Sequence, residues 1–238
     1  IQASGHEFEV ESSETVLDAA LRQSIDLPYG CRGGACGSCE GTLISGQVRY
    51  EEEPIALSDE LIDSGKALFC MAIPESDLVI GADELEQLAD IKIKNLRCRV
   101  EQKERLNHDV IALKLKLAGD ERLQYHAGQY IEFILEDGKR RAFSIASAPQ
   151  CEDEIELHIR HVEGVGFTGW VFDELNERDI LRLEAPLGTF FVRNDQVDRP
   201  MIMMGGGTGF APLKSMIEDL LAHQDKRSLH LFWGARSP

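Results

Sequence analysis

The stretch YGCRGGACGSC, residues 29–39, decides the fold of the first part of this chain. It places Cys31, Cys36 and Cys39 in the spacing C-x4-C-x2-C and separates them with glycines. A loop that gathers three thiols into so short a span must turn tightly, and glycine supplies the positive φ that such turns require. A fourth cysteine, Cys70, follows at a distance in an apolar run. The pattern therefore indicates a compact fold built around four sulfur atoms.

Three kinds of site use grouped cysteines: an iron–sulfur cluster, a zinc ion and a disulfide. The observed spacing, with its distant fourth cysteine, is that of plant-type 2Fe–2S proteins. Zinc sites usually take paired C-x2-C units, and only Cys36 and Cys39 form one. Six cysteines in all, four of them at this site, favour a reducing compartment over a disulfide framework. We therefore predict single-electron transfer through a 2Fe–2S cluster whose ligands are Cys31, Cys36, Cys39 and Cys70.

The composition narrows the classes of function. The chain has 238 residues, of which 43% are hydrophobic, and a net charge of −17. Residues 1–85 contain 17 acidic and 4 basic side chains, whereas the remainder has a net charge of −4. Such an acidic segment argues against nucleic-acid binding and could attract a basic redox partner, although solubility alone would also explain it. No stretch approaches the roughly 20 apolar residues of a membrane span, and we expect a cytoplasmic protein.

Apolar periodicity divides the chain into successive segments. In the first, a strand is predicted over 6–11, and Thr15 is predicted to cap a helix whose apolar face includes Leu17. A polar linker is predicted over 84–90. Beyond it, a short helix begins near Thr168 among strands with alternating apolar residues, predicted over 109–117, 129–135, 140–146 and 154–162. This spacing indicates an antiparallel barrel or sandwich.

The last segment has the pattern of a βαβ unit. A buried strand is predicted over 201–204, followed by the glycine turn GGGTG, a helix over 211–222 and a second strand over 229–233. A parallel sheet that is covered on both faces needs more units than these. We therefore expect this domain to be incomplete, and the start at Ile1 without methionine likewise suggests a longer product.

Several short motifs are candidate cofactor-binding sites. In the tetrapeptide RAFS, residues 141–144, an arginine could hold a phosphate, the serine hydroxyl could bond a polar ring edge and Phe143 could pack on a flat ring. The run 164–168 before a helix, and the glycine turn, could each bind phosphate at a helix N-terminus. His158 and Arg160 share one strand face. The alternatives are an exposed arginine beside a core phenylalanine, simple loops and turns, and a solvated strand face.

Taken in order, these pieces resemble the 2Fe–2S flavoprotein reductases, in which ferredoxin, FAD and NAD(P)H domains follow one another. Oxygenase reductases belong to this family, and the likeness is closest to its CDP-6-deoxy-glucoseen reductase-like members. The segments that carry it are LPYGCR (27–32), GKALFC (65–70) and PLGTFF (186–191). The resemblance implies a multidomain α+β and α/β protein. Its expected domains are a β-grasp ferredoxin-type domain (1–88), an antiparallel flavin-binding β-barrel (94–196) and an incomplete, doubly wound NAD(P)H-binding domain (197–238).

The resemblance also assigns residues to cofactors. The family's R-x-Y-S motif falls on RAFS, with Phe143 in place of the commoner tyrosine, and Ser144 becomes the expected catalytic residue. The diphosphate loop falls on Gly166 and Thr168, and the nicotinamide motif G-G-T-G-x-A-P falls on residues 206–212. The expected cofactor-binding residues are Arg141, Phe143, Ser144, His158, Arg160, Gly166, Thr168, Gly206, Gly207, Thr208, Gly209 and Pro212.

The function implied is that of an NAD(P)H-dependent iron–sulfur flavoprotein reductase. NADH or NADPH would supply two electrons as a hydride to FAD, which would pass them singly to the cluster and on to an acceptor protein, such as an oxygenase or dehydrase component. Two alternatives remain open. One is a flavin reductase that releases reduced free flavin, and the other is a non-enzymatic, ferredoxin-type electron carrier.

Overall fold

The computed structural model describes residues 1–85, 88, 91–119, 121–151, 154–193 and 199–235. The chain divides into two compact units, Ile1–Asp90 and Ile91–Pro238. Most of the predicted linker and the predicted boundary at 196 lie outside the described residues. Among the helices that are described, none combines the length and the apolar character that crossing a membrane requires.

The first unit is a small antiparallel sheet with one substantial helix. Its helices are α1 (Val16–Arg22) and α2 (Asp59–Asp63), and its strands are β1 (Glu40–Ser45), β2 (Val48–Arg49), β3 (Lys66–Leu68), β4 (Ile73–Pro74) and β5 (Val79–Gly81). Strand β1 is central and pairs with both β3 and β5, while β2 pairs with β4. The predicted β-grasp ferredoxin-type fold is confirmed.

Helix α1 is anchored at its N-terminus by its cap and by the sheet. The Thr15 hydroxyl accepts a hydrogen bond from the amide of Asp18 at 3.1 Å, as the sequence predicts. The first two amides of the helix, those of Val16 and Leu17, donate to the carbonyls of Ala72 and Phe69, both at 2.9 Å. Since the first amides of a helix have no partner within it, these contacts satisfy them and fix α1 beside the segment that carries the fourth cysteine.

The predicted strand over 6–11 is wrong. No strand forms there, although the backbone is held. The Gln23 side chain accepts from the Glu9 amide at 3.1 Å and donates to the Glu9 carbonyl at 2.6 Å. An amide side chain thus takes the place of a neighbouring strand, which an alternating pattern cannot reveal.

The second unit contains a six-stranded antiparallel barrel. Its strands are β6 (Lys94–Arg105), β7 (Val110–Leu117), β8 (Tyr130–Ile134), β9 (Arg140–Ser144), β10 (Ile155–Arg160) and β11 (Ile180–Leu187), with α3 (Gly166–Asp173) between β10 and β11. Neighbours follow the order β10-β7-β6-β11-β8-β9. One isolated bridge, between Ile145 and Leu157, joins the two ends of this order. The predicted antiparallel barrel is therefore confirmed.

The barrel interior is filled by alternate residues of its strands. On β7 the fully buried side chains are Ile111, Leu113 and Leu115, while Lys114 and Lys116 point away. Each such aliphatic side chain contributes about 1.5–3 kcal/mol when it leaves water. Helix α3 adds further buried side chains, Phe167, Val171 and Phe172, to the same core.

The last elements that the structure describes form a parallel βαβ unit. Strand β12 (Met201–Gly206) leads through a 3-10 turn into α4 (Phe210–Ala222), and β13 (Leu229–Gly234) pairs with β12 in parallel. The predicted start of a doubly wound domain is confirmed. The prediction that β12 is a buried strand is wrong for two of its residues, because Met203 is covered while Ile202 and Met204 are 69% and 75% exposed. In the described part, α4 lies against β12, and the second face of this two-stranded sheet is largely open to solvent.

Close packing at Gly41 supplies a test of the first unit. A Cβ at this β1 position would collide with the ring of Phe69 and lie 3.0 Å from the carbonyl oxygen of Gly81. We expect Gly41→Ala to lower the free energy of unfolding by about 1–3 kcal/mol, as overpacking does. Urea unfolding measures this. Gly81→Ala is the matched control, because its Cβ would make only ordinary contacts of 3.5 Å; equal effects of the two changes would contradict the packing.

Candidate functional site

The four predicted ligand cysteines come together in the first unit as two pairs. Cys31, Cys36 and Cys39 lie in the loop between α1 and β1, and Cys70 follows β3. The thiols of Cys31 and Cys36 share a hydrogen bond, and the Cys36 sulfur also accepts from the amide of Cys31 at 3.4 Å. The thiols of Cys39 and Cys70 likewise share a hydrogen bond. The first pair is exposed and the second is buried.

Hydrogen bonding shifts the pKa values of these thiols in different directions. The contact with Cys39, helped by the amide of Gly34, lowers the pKa of Cys70 to about 7. The same contact, together with burial, raises the pKa of Cys39. Burial also raises the pKa of Cys36, but hydrogen bonds from Cys31 and Ser38 outweigh it, and the pKa falls overall. Each pair thus contains one thiol whose pKa is lowered, Cys36 in the first and Cys70 in the second, and the thiolate is the form that binds metal.

Glycine and one arginine shape the loop around the sulfur atoms. A Cβ at Gly30 would stand 3.1 Å from the Cys36 sulfur, and Gly34 has φ +68° with Met71 and Pro54 packed against it. Arg32, at φ +53°, forms an ion pair with Asp18 of α1. The loop is therefore tied to the helix on one side and closely packed on the other.

The donor set fits a 2Fe–2S cluster better than a single metal ion. In such a cluster, four ligands are divided between two irons. Across the described ranges, no three His, Cys, Asp or Glu side chains converge as one ion would require. The thiols instead stand two by two, with tightly packed glycines around them. These residues can therefore hold a 2Fe–2S cluster.

In the second unit, the two edge strands of the barrel frame an opening. Strands β9 and β10 meet only at the bridge between Ile145 and Leu157, beside which the Ala146 amide donates to the Glu156 carbonyl at 2.7 Å. Away from this point, β9 pairs only with β8, and β10 only with β7. We call the gap between Arg140–Ser144 and Ile155–Arg160 the seam. Its strand edges present backbone groups that a bound molecule can reach.

The RAFS residues lie on β9 along this seam. Arg141 and Phe143 are the cross-strand partners of Phe133 and Ile131, so they share the core face of the sheet. Phe143 packs at 5.9 Å from the ring of Phe133 and is partly buried. Ser144, on the opposite face, pairs with Tyr130 and is also partly buried.

A cavity of about 960 Å³ joins Arg141 to the start of α3, because both Arg141 and Gly166 line it. Arg141 donates to the carbonyl of Arg140 and has no carboxylate partner within the described ranges. A Cβ at Gly166 would meet nothing within 4 Å, so the start of the helix faces open space. An unneutralised guanidinium beside free helix amides suits a diphosphate. The Thr168 hydroxyl, by contrast, bonds Val162 and Val165 and holds the preceding loop.

His158 and Arg160 lie elsewhere, on the outer face of β10. His158 is tied to Glu156 at 2.7 Å, and this hydrogen bond, with the nearby charge of Lys214, lowers the pKa of Glu156. Arg160 donates to Asp109 at 2.7 Å and reaches the glycine turn, where its Nη1 lies 3.7 Å from a Cβ built at Gly207. Arg160 therefore lies beside the glycine turn, and neither residue lines the cavity that contains Arg141.

The glycine turn has both open and packed positions. Gly206 and Gly209 have open space where a side chain would stand, whereas Gly205 is packed against Leu213. Gly207 has φ +51°, in the left-handed region that favours glycine. Thr208 follows in the 3-10 turn, and Pro212 is buried in the first turn of α4. Open glycines before a helix N-terminus leave room for a phosphate.

Sequence reasoning missed the contacts that dock α4 on the barrel. The Ser147 carbonyl accepts from the Ser215 hydroxyl at 2.6 Å and from the Tyr125 hydroxyl at 3.0 Å. Lys214 donates to the Ala146 carbonyl at 3.2 Å. Ser215 is fully buried, and a small polar residue on the buried face of a helix was the one available signal. These bonds fix the glycine turn beside the strand that carries Ser144.

The cluster ligands can be tested by one serine substitution. We expect Cys36→Ser to remove most of the iron and the visible cluster absorption while flavin content stays unchanged, since the change lies in the other unit. Iron and flavin analysis of the purified protein measures this. Cys151→Ser, at an exposed cysteine of the second unit, is the control. An unaltered cluster spectrum in the Cys36 variant would remove Cys36 from the ligand set.

A second substitution tests the proposed diphosphate site. We expect Arg141→Ala to weaken FAD binding by about 10- to 100-fold, the worth of a charge-assisted hydrogen bond. Fluorescence titration of the flavin-free protein measures the change. Arg99→Ala, an exposed arginine of β6 paired with Glu101, should leave FAD affinity intact. Equal affinity in wild type and the Arg141 variant would exclude that residue from the site.

Three family models match the chain in succession. They are the 2Fe-2S iron-sulfur cluster binding domain over residues 1–75, the oxidoreductase FAD-binding domain over 97–192 and the oxidoreductase NAD-binding domain over 203–238. Together they match the thiol loop, the barrel and the βαβ unit.

Curated relatives extend over nearly the whole chain. The CDP-6-deoxy-L-threo-D-glycero-4-hexulose-3-dehydrase reductase of Yersinia pestis is 40% identical over 98% of this chain and 70% of its own length. Reductase component 2 of terephthalate 1,2-dioxygenase from a Comamonas species is 37% identical over 97% of this chain and 68% of its own. The phenol 2-monooxygenase reductase component of Pseudomonas sp. strain CF600 is 40% identical, with shares of 100% and 67%.

Solved structures show the same arrangement of elements. The cytochrome P450 reductase GcoB of Amycolatopsis superimposes with a TM-score of 0.79 at 32% identity, over 98% of this chain and 71% of that one. The ferredoxin reductase of carbazole 1,9a-dioxygenase gives 0.71 at 28% identity, over 99% and 70%. The chain therefore belongs to the family of NAD(P)H-dependent reductases that carry electrons through FAD and a 2Fe–2S cluster to oxygenase and dehydrase components.

Proposed function

We propose that this chain serves a separate oxygenase or dehydrase component in the cytoplasm, and that Cys31, Cys36, Cys39 and Cys70 would hold the 2Fe–2S cluster that supplies it with single electrons. One observation carries the proposal: in an acidic unit, one side of the thiol site, Cys31 and Cys36, is exposed while the other side is buried. An exposed edge lets a partner approach the cluster, and the net negative charge attracts a basic partner at a rate that falls with ionic strength.

Arg141 and the first amides of α3 are proposed to hold the FAD diphosphate. Their support is a shared cavity, a guanidinium without a carboxylate partner in the described part, and the open space at Gly166. Thr168 keeps the loop before α3 in place through its own hydroxyl. FAD, when bound, supplies the capacity to accept a hydride and to release electrons singly.

Phe143 and Ser144 are proposed to contact the flavin ring along the seam. Phe143 offers an aromatic surface, and its own ring is braced by Phe133 and Phe167 at 5.9 Å and 5.7 Å. Ser144 is the proposed catalytic residue, because its hydroxyl can hold a polar edge of the ring in position during hydride transfer. With phenylalanine at 143, no phenol hydrogen bond is available there.

The glycine turn, residues 206–209, and Pro212 are proposed to bind the nicotinamide nucleotide. Their support is the open space at Gly206 and Gly209 and the helix that follows. Arg160 reaches Gly207 while its Nε is paired with Asp109, and His158 holds Glu156 next to Lys214. The docking bonds to Ala146 and Ser147 keep this nucleotide site close to Ser144 on the same strand segment.

Two other functions make different predictions. A flavin reductase would release reduced free flavin and would have no use for an attached cluster. A non-enzymatic carrier would hold the cluster without a working flavin site. The cavity that contains Arg141 and the docked glycine turn favour the proposed relay over both.

Comparing electron acceptors tests the relay. We expect NADH or NADPH to drive rapid cytochrome c reduction by the wild-type protein. In the cluster-free Cys36→Ser protein this rate should fall by at least about tenfold, while ferricyanide, which can take electrons directly from the flavin, should still be reduced. Stopped-flow and steady-state absorbance measure both activities. The Cys151→Ser protein serves as the control.

Two outcomes would overturn the relay. Undiminished cytochrome c reduction by the Cys36 variant would show that electrons do not pass through the cluster. If that variant also reduced added free FMN rapidly, the result would favour the flavin reductase. A purified protein that retains iron but binds no FAD would favour the electron carrier.

A further inference from the structure

The glycine turn, residues 205–209, has few contacts of its own that would hold its shape. Four of its five residues are glycines, which adopt many backbone conformations at little cost. Gly206 and Gly209 face open space, Gly205 alone among these glycines is closely packed, and Gly207 takes a φ of +51°. A flexible loop loses entropy when it binds a ligand, so a contact from outside that orders this turn beforehand would strengthen binding.

Trp233 of β13 supplies such a contact. Its indole Nε1 donates to the Gly207 carbonyl at 3.0 Å, from a position 26 residues further along the chain. The same carbonyl also accepts from the backbone amide of Phe210. Trp233 stands directly across from Gly205 in the parallel pairing of β12 and β13. The contact of the indole with the turn therefore depends on this register.

Stacking fixes the orientation of the indole. The ring of Trp233 lies 4.8 Å from that of Phe210, and the two ring planes make an angle of 27°. Phe210 is the first residue of α4 and packs against the buried cluster that contains Met203 and Leu213. Although Trp233 is 56% exposed, its ring is therefore held on one side, and its N–H is directed at the turn.

The bond to Gly207 also determines where the next amide points. In a trans peptide, the carbonyl oxygen and the amide hydrogen lie on opposite sides of the C–N bond. Since the Gly207 oxygen is turned towards Trp233, the Thr208 amide is turned away from the indole. The oxygen itself, which would repel a phosphate, is occupied by the donors of Trp233 and Phe210.

We propose that Trp233 is a positioning residue of the nicotinamide nucleotide site, which orders the glycine turn so that the Thr208 amide is presented to a phosphate of the nucleotide. The proposal rests on the assignment of residues 206–209 to that nucleotide. In this role the indole acts on the nucleotide only through the turn. A dihydronicotinamide without phosphates makes no use of the turn, so its reaction with the flavin is independent of Trp233.

A comparison of two ligands tests this role in the full chain with its cofactors bound. Trp233→Phe keeps an aromatic ring to stack on Phe210 and removes the N–H donor. We expect its Kd for NAD⁺ or NADP⁺, whichever the wild type binds more tightly, to rise about 3- to 10-fold, the worth of one neutral hydrogen bond. Isothermal titration calorimetry measures this. The rate of flavin reduction by N-benzyl-dihydronicotinamide, which has no phosphate, should stay the same in stopped-flow measurements.

Two further variants complete the test. Phe232→Leu, at the neighbouring exposed residue of β13, is the matched control and should leave both measurements unchanged. Phe210→Leu keeps the N–H donor but removes the ring that orients it. This variant should also weaken nucleotide binding and leave the reaction with the phosphate-free donor intact, and it serves if Trp233→Phe does not fold.

The outcomes separate the role of Trp233 from the functions on which it rests. Equal nucleotide Kd values in the wild type and the Trp233 variant would overturn this role, and so would equal losses with the nucleotide and the phosphate-free donor. A wild-type protein that binds neither NAD⁺ nor NADP⁺ would overturn the assignment of the glycine turn, and the role of Trp233 with it. Weaker nucleotide binding by the variant would support the role even if neither NADH nor NADPH reduced the flavin, a result that would contradict the relay alone.

Discussion

A single bridge between two edge strands organises the second unit. Ile145 and Leu157 close the barrel at one point only, and the rest of β9 and β10 keeps its edges free for a bound molecule. A fully paired barrel would bury these backbone groups in its own ladder, and a sheet without the bridge would lose its enclosed core. The proposed flavin site therefore depends on a barrel that is closed at one end and open at the other.

The position of this bridge also determines where α4, the helix after the glycine turn, docks on the barrel. The carbonyls that follow it, those of Ala146 and Ser147, accept hydrogen bonds from Lys214 and Ser215 of α4. The glycine turn thus takes its position from the strand on which Ser144 lies. One short stretch of backbone thus joins the proposed flavin-ring contact at Ser144 to barrel closure and to the docking of α4.

Local patterns in the sequence predicted most of the elements, because their causes are local. The strand β7 follows from alternation, the helix cap at Thr15 from a side chain that reaches three residues along, and the thiol loop from its cysteine spacing. Contacts between distant segments could not be predicted in this way. The absence of a strand over 6–11 depends on Gln23, and the docking of α4 depends on Ser147.

The predicted cofactor residues show the same difference between local patterns and contacts made by the fold. Spacing alone grouped the cysteines, whereas only the fold separates them into an exposed and a buried pair. Arg141 and Gly166 lie 25 positions apart in sequence and share one cavity, while Arg160, closer to Gly166, reaches the glycine turn instead. Which face of a strand meets which neighbour is a tertiary property that residue type does not encode.

Docking through Ser147 restricts how this architecture can be recombined. The acceptors on the barrel are backbone carbonyls, which a barrel with another sequence would also offer, whereas the donors are side chains of α4. A βαβ element moved onto another barrel would therefore keep this docking only if it brought its own hydroxyl and ammonium donors at the positions of Ser215 and Lys214.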